Sequence, residues 1–147
     1  MTKEILVKIR GLQFAGEDDG DSMEVITSGT YYKKNGKHYV LYEEVMEGTD
    51  EITKNMIKIG TNSMEVTRKG VTATHLVFEK DKKNISYYYT PYGNFLIGID
   101  TKEMNVDETD LDIHVKVNYG LEINDEHMAD CNIIIEVKSK TAKDFRL

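Results

Sequence analysis

A two-residue rhythm runs through nearly the whole of this chain, and it leaves few folds open. Between Leu111 and Leu121, the residues Ile113, Val115, Val117, Tyr119 and Leu121 fall on one side of an extended backbone, and Asp112, His114, Lys116, Asn118 and Glu122 on the other. Side chains alternate across a strand, so such a segment offers one face to a core and one to water. Near the N-terminus Ile5, Val7 and Ile9 alternate with Leu6, Lys8 and Arg10 and extend the pattern toward Phe14; near the C-terminus Ile133, Ile135 and Val137 stand opposite Asn132, Ile134 and Glu136. No segment carries ten residues of helical period, although the last ten leave room for one helical turn.

Turn-forming residues punctuate the rhythm. Asn35-Gly36 lies between extended runs at Met23–Lys34 and Lys37–Met46, and both residues accept the positive φ of a tight hairpin turn. Glu47–Asp50 precedes a strand over Glu51–Gly60, Thr61-Asn62 leads into Ser63–Arg68, and Lys69-Gly70 breaks the chain before Val71–Lys80. Asp81–Asn84 fits a four-residue hairpin loop. The aromatic stretch Ile85–Ile99 turns at Thr90-Pro91-Tyr92-Gly93, where the only proline holds Thr90 extended and Gly93 is free to take positive φ. Lys102–Asp110 reads as a polar loop or ragged edge and Asn124–Asp130 as a turn. The count is about nine or ten short strands, spaced near ten residues with no crossover helix, which means antiparallel neighbours. The expected fold is all-β: one domain over residues 1–147, an antiparallel meander closed into a barrel, with a sandwich as the alternative. Closure is favoured because it removes exposed edges that a single proline could not protect.

Composition narrows the class of function. A net charge of −7, with lysines dispersed, opposes a nucleic-acid backbone, so no nucleic-acid partner is expected. The tail Lys138–Leu147 is locally basic and reads as a solvated end. The apolar runs are far shorter than the roughly 20 residues of a membrane helix, and the N-terminus has no uninterrupted apolar core, so neither a membrane partner nor a signal peptide is expected. Cys131 is the only cysteine; a reducing, cytoplasmic setting follows as the simpler expectation.

Catalytic signatures fail one by one. Placing Gly20 at the centre of a calcium loop puts Ala15 and Ile26 where carboxylates are needed. No nucleophile elbow or phosphate loop occurs, and His38, His75, His114 and His127 have no metal-ligand spacing. Cys131 starts an apolar strand and reads as a small buried hydrophobe. The expectation is therefore no catalytic residue, no cofactor and no metal.

What remains is a constellation of Tyr32, Tyr42, Glu44, Arg68 and Tyr92. Tyr42 and Glu44 share a strand face, and Arg68 shares one with Met64 and Val66. An arginine on an apolar face demands an anion. Either Glu44 supplies it, in an ion pair that closes one end of the barrel, or a ligand carboxylate or phosphate does. In Tyr87-Tyr88-Tyr89 the neighbours must alternate; with Tyr87 and Tyr89 inward, Tyr88 faces out, toward a partner or the next strand.

Gly29-Thr30-Tyr31-Tyr32 with its Asn35-Gly36 hairpin, then Tyr42-Glu43-Glu44, Thr67-Arg68-Lys69-Gly70 and Thr90-Pro91-Tyr92-Gly93, in this order and separation, resembles the YwiB-like family of small bacterial proteins. The resemblance runs through nearly the whole chain. It implies a calycin-like barrel, the architecture of lipocalins and fatty-acid-binding proteins, of about 8–10 strands, and no activity, since the family is a domain of unknown function and a fold does not fix a function. Three readings of function follow: a binding module for a small amphipathic or anionic ligand at the barrel mouth; a packed structural or protein-interaction module, monomeric or homodimeric, in which exposed tyrosines and Lys102–Asp110 matter more than the interior; and, last, an enzyme whose perturbed carboxylates sit in the barrel mouth.

Overall fold

The computed structural model describes residues 2–11, 24–45, 48, 50–70 and 73–140, the side chain of Thr90 excepted. Ten strands form one closed barrel: β1 (Glu4–Arg10), β2 (Glu24–Lys34), β3 (Lys37–Val45), β4 (Ile52–Ile59), β5 (Ser63–Lys69), β6 (Ala73–Glu79), β7 (Lys82–Thr90), β8 (Gly93–Glu108), β9 (Asp112–Ile123) and β10 (Glu126–Ser139). Every ladder is antiparallel, and all but the β1–β10 ladder that closes the ring join consecutive strands. The barrel, not the sandwich, is the architecture. The expected continuation of β1 to Phe14 and the C-terminal helical turn lie largely outside the described residues.

Turn chemistry sets the hairpins. Asn35 and Gly36 have φ of 52° and 76°, joining β2 to β3 as the sequence predicts. Three connections are tighter than expected. Asp81 adopts φ of 62°, so the β6–β7 turn needs only Lys80-Asp81, and Lys82–Asn84 belong to β7. Asn124 and Asp125, at 51° and 68°, make a two-residue turn, and β10 starts at Glu126. Asn and Asp tolerate the left-handed region, which lets the turn shrink and returns the flanking residues to the ladder. Lys102–Glu108 is strand, not loop: a register shift between Thr101 and Glu103 changes the phase of β8. Up to Thr101 the odd residues face inward, and after the shift Met104 is buried and Val106 half-buried. A bulge re-aims side chains in this way, and it lets a polar-looking segment complete a wall.

The connections β3–β4, β5–β6, β7–β8 and β9–β10 lie at one end of the barrel, here the upper end; Asn35-Gly36, Lys80-Asp81 and the β8–β9 connection lie at the lower end. The apolar core occupies the lower half beneath β3–β6 and runs along β8, β9 and β10. Val40, Ile57, Ile59, Met64, Val66, Leu76 and Phe78 meet Ile97, Ile99, Val115, Val117, Ile133 and Ile135, all 1% exposed or less. At its centre the Phe78 and Tyr119 rings stand edge to face, 5.0 Å apart at 76°. That geometry suits the ring quadrupoles and adds about 0.5–1.5 kcal/mol beyond burial.

Two glycines separate strain from space. A Cβ on Gly29 would lie 2.5 Å from the Leu41 carbonyl oxygen, a backbone atom with nowhere to go. Gly36 has open space around it and only its φ of 76° to defend. Gly29→Ala should therefore cost about 1–3 kcal/mol through overpacking, and Gly36→Ala about 1 kcal/mol through backbone strain. Denaturant midpoints of the two variants check the ranking; equal effects would mean that the β2–β3 approach gives way freely.

Candidate functional site

The upper interior of β2 to β7 is polar. On β3 the inward residues run Val40, Tyr42, Glu44 toward the upper end; on β4, Ile59, Ile57, Asn55, Thr53; on β5, Met64, Val66, Arg68. Each strand passes from apolar to polar as it leaves the core. Cross-strand register then aligns one row around the wall: Tyr42 opposite Asn55, Asn55 opposite Arg68, Arg68 opposite Thr74, Thr74 opposite Tyr88, and Tyr88 opposite Phe95. Tyr42, Asn55, Thr74 and Tyr88 are 4–6% exposed, and Arg68 is half-buried with its Nε fully covered.

The same strands carry apolar side chains on the outside at this level. Ile26, Val45 and Ile52 are 50%, 70% and 49% exposed, while Thr27, Glu44 and Thr53 beside them face in. On β7, Asn84, Ser86 and Tyr88 face the interior and Ile85, Tyr87 and Tyr89 face solvent. The tyrosine triplet thus has the phase opposite to the expected one, with Tyr88 inward. A shift of one residue flips a whole strand, and β7 follows the register of its nine pairs with β8, not its own hydrophobic face.

Of the five residues singled out from sequence, three converge. Tyr42, Glu44 and Arg68 line the upper interior. The acceptor Glu44 Oε1 takes a hydrogen bond from Asn55 Nδ2 at 2.9 Å, so the residue standing between Glu44 and Arg68 is an amide that the sequence reading passed over. Tyr32 faces outward in the lower half, stacked on Tyr39 at 4.6 Å and 6°. Tyr92 sits on the β7–β8 turn at the upper rim, 98% exposed. Asn55, Thr53 and Thr74 had a visible signal: they hold the same strand phase as Ile57, Ile59, Leu76 and Phe78.

A cleft opens beside this row. The β2–β3 ladder runs only from Lys34↔Lys37 to Thr30↔Leu41, whereas β2 stays paired with β1 up to Glu24 and β3 with β4 up to Val45. The two strands part above Thr30, leaving a space of about 490 Å³ lined by Ser28, Gly29, Tyr42, Glu43, Lys54 and Asn55 among others. The lack of a Gly29 side chain keeps one wall low. The cleft has the size of a small-ligand pocket, typically about 300–1,000 Å³.

A second polar cluster closes the lower end. His38, 6% exposed, has Nε2 at 2.8 Å from Glu108 Oε2 and Nδ1 at 2.6 Å from the Tyr31 hydroxyl. With Nε2–H donating to the carboxylate, Nδ1 accepts the Tyr31 O–H. The re-phased end of β8 thereby ties the β2–β3 hairpin across the barrel. Burial pushes the Tyr31 phenol above its usual range, and the Glu108 carboxylate adds to the shift. The other histidines lie on β6, β9 and β10, and among the described residues no three metal-ligating side chains gather. Cys131 faces inward but is half-buried, less covered than expected; burial raises its thiol, the Tyr119 hydrogen bond opposes this, and Asp130 adds to it.

The comparisons with known proteins agree with this architecture. Residues 7–135 match the family described as Domain of unknown function (DUF1934). The chain belongs to the DUF1934 family. Its barrel is similar to the crystal structure of the ywiB protein from Bacillus subtilis, with a TM-score of 0.75 and 20% identity over 93% of this chain and 92% of that one. At that identity the likeness is one of fold. No curated protein matches the sequence. The YwiB-like resemblance holds, and the closed antiparallel barrel is consistent with the calycin-like architecture it implies.

Two outcomes follow from the titrating groups. Folded Tyr31 holds its proton more tightly than the unfolded chain does, so its contribution is whole below pH about 10 and is lost as pH rises further. Tyr31→Phe should cost about 1 kcal/mol at neutral pH by orphaning His38 Nδ1, and should flatten the alkaline fall in stability followed by thermal melts. The raised Cys131 thiol should react with an aromatic disulfide reagent at pH 7.5 at least about tenfold more slowly in the native protein than in denaturant. Equal rates would contradict its burial.

Proposed function

We propose that this protein binds a small anionic or amphipathic ligand in the polar upper interior, entering through the cleft between β2 and β3. The observation that carries this reading is the reversal of pattern in the upper half: Thr27, Glu44, Thr53, Asn55, Thr74 and Ser86 face in while Ile26, Val45, Ile52 and Ile85 face out. Glu44 and Asn55 satisfy each other in part, but polar groups taken from water must be repaid by partners, and the buried Thr74 hydroxyl has no hydrogen-bond partner among the described residues. A ligand that brings its own polar atoms repays them.

Arg68 supports the anionic choice. Its guanidinium offers a planar fork of donors suited to a carboxylate or phosphate, and it sits at the boundary where apolar Val66 and Leu76 give way to Asn55 and Thr74. An amphipathic ligand would place its charged head against Arg68 and Asn55 and a short apolar part toward Val66 and Leu76. Phe78 and Tyr119 already fill the space beneath, which favours a small ligand over a long-chain lipid.

Native mass spectrometry of gently purified protein, followed by denaturing extraction, is the direct test. A stoichiometric small anion is expected on the wild type and should be lost in Arg68→Ala while the melting temperature moves by only a few degrees. Asn55→Leu should also weaken binding, by about tenfold or more, since one charge-assisted or buried hydrogen bond is worth that much. A wild type that carries nothing and binds no carboxylate or phosphate probe, together with an Arg68→Ala variant destabilised by about 3 kcal/mol or more, would assign the row to structure alone.

A further inference from the structure

Where β2 and β3 part, each strand turns a row of main-chain groups into the cleft. The Tyr31 N–H donates to the Lys3 carbonyl at 2.8 Å, so the odd residues of β2 aim their N–H and C=O at β1, and the even ones, Ser28 and Ile26, aim theirs at β3. On β3, Leu41 pairs with Thr30, and by the same alternation Glu43 and Val45 aim theirs at β2. Continued upward, the register would set Ser28 against Glu43 and Ile26 against Val45, but the ladder stops at Thr30 and Leu41. Among the described residues no ladder or turn takes up these groups; the Ser28 carbonyl receives only a long bond, 3.3 Å, from the Thr27 hydroxyl. The side chains repeat the pattern. Ile26 and Val45 are exposed and apolar at one level on opposite banks, and Thr27 and Glu44 face inward beneath them. Lys54, the cross-strand neighbour of Glu43, lines the closed end of the cleft together with Asn55.

We infer that the ligand of this cleft is a short extended peptide, held through its main chain and by its terminal carboxylate. The inference rests on the ligand reading above and names the anion. Main-chain donors and acceptors repeating every second residue on facing edges are matched by another extended polypeptide, which offers the same groups at the same spacing. The closed end fixes the direction. With the carboxylate seated there, between Lys54 on the rim and Asn55 of the inner row, the peptide runs antiparallel to β3 and parallel to β2. Antiparallel pairing is the stronger per residue, so β3 is the edge that carries it. One carboxylate oxygen accepts the Glu43 N–H, and the residue two places before the terminus exchanges bonds with Val45. Alternation then assigns the side chains. The residue paired with Val45 points outward between Ile26 and Val45 and is apolar, whereas its neighbour nearer the terminus points inward beside Thr27 and Glu44 and is polar. The unpaired length of β2 from Ser28 up to Glu24 is on the order of 13 Å at about 3.3 Å per residue, enough for about four ligand residues.

The probes are a library of acetylated pentapeptides with Ile, Leu or Val third from a free carboxy terminus, the same library as carboxy-terminal amides, and acetate and inorganic phosphate. Affinity selection on the full chain, read by mass spectrometry, should retain free-carboxylate members at least about tenfold over their amides. With a retained peptide bound, amide hydrogen exchange of Glu43 and Val45 should slow, which a small anion at the same place would not bring about at Val45. Lys54→Gln should weaken the peptide about tenfold with an unchanged melting temperature, and Glu43→Pro, which removes an edge N–H that no ladder uses, should weaken it as much. Lys54→Gln keeps the test decisive should Glu43→Pro not fold. A wild type that binds acetate or phosphate but no peptide overturns this inference and leaves the ligand reading standing; one that binds none of the probes overturns both. Peptides retained equally as amides, or retained without slowed exchange at Glu43 and Val45, also overturn it.

Discussion

The β1–β10 ladder is the contact on which everything else in this barrel depends. Nine of the ten ladders join neighbours in sequence; this one joins Ile5 to Ser139 and Arg10 to Ile134 at opposite ends of the chain. Closing a ring of strands pairs the two outermost rows of backbone donors and acceptors, and what edge remains lies inside the ring, where β2 and β3 part above Thr30 and β6 meets β7 at only two pairs. It also divides every residue into one that faces in and one that faces out, because the period of two cannot be escaped locally. Where a local preference conflicts with that division, the ring wins.

The conflict is visible on β7. Ile85, Tyr87 and Tyr89 are the better core residues by chemistry, yet the nine pairs with β8 send them outward and bring Asn84, Ser86 and Tyr88 inside. Moving the strand by one residue would repair its own pattern and break nine ladder pairs. The same trade appears at the upper ends of β2, β3 and β4. Sequence patterns that disagree with their environment in one connected region, while agreeing everywhere else, mark a region shaped by something other than stability. Here the disagreement is confined to the polar inner wall of the upper half and the apolar outer face of β7.

The lower end is built on the opposite principle. His38 is buried with both ring nitrogens engaged, and the Tyr31–His38–Glu108 chain links the β2–β3 hairpin to the extension of β8 across the barrel floor. Every polar group in that chain has a partner within it, which is the condition under which a buried network rigidifies a fold instead of weakening it. A hydrogen-bonded floor at the lower end and a polar, cleft upper half give the barrel two unlike ends.

Strand identity, the all-β class and the Asn35-Gly36 hairpin were legible in the chain because each rests on interactions between residues close in sequence: alternation along one strand, and the two φ angles of one turn. Tyr42, Glu44 and Arg68 were legible as candidates by the same logic of shared faces. The short turns at Lys80-Asp81 and Asn124-Asp125 were less so, since polar flanks such as Lys82–Asn84 and Glu126–Asp130 look the same in a loop as on the outer face of a paired strand. The Thr101–Glu103 bulge, the inward Tyr88, the partnership of Glu44 with Asn55 and the closing of His38 onto Glu108 were decided only by tertiary structure. They depend on which strand lies beside which and in what register, and register is fixed by the ring as a whole. The sequence by itself determined which residues could be strand and where the chain could turn; the closed barrel decided which face of each strand became the inside, because closure ties the phase of every strand to that of its neighbours.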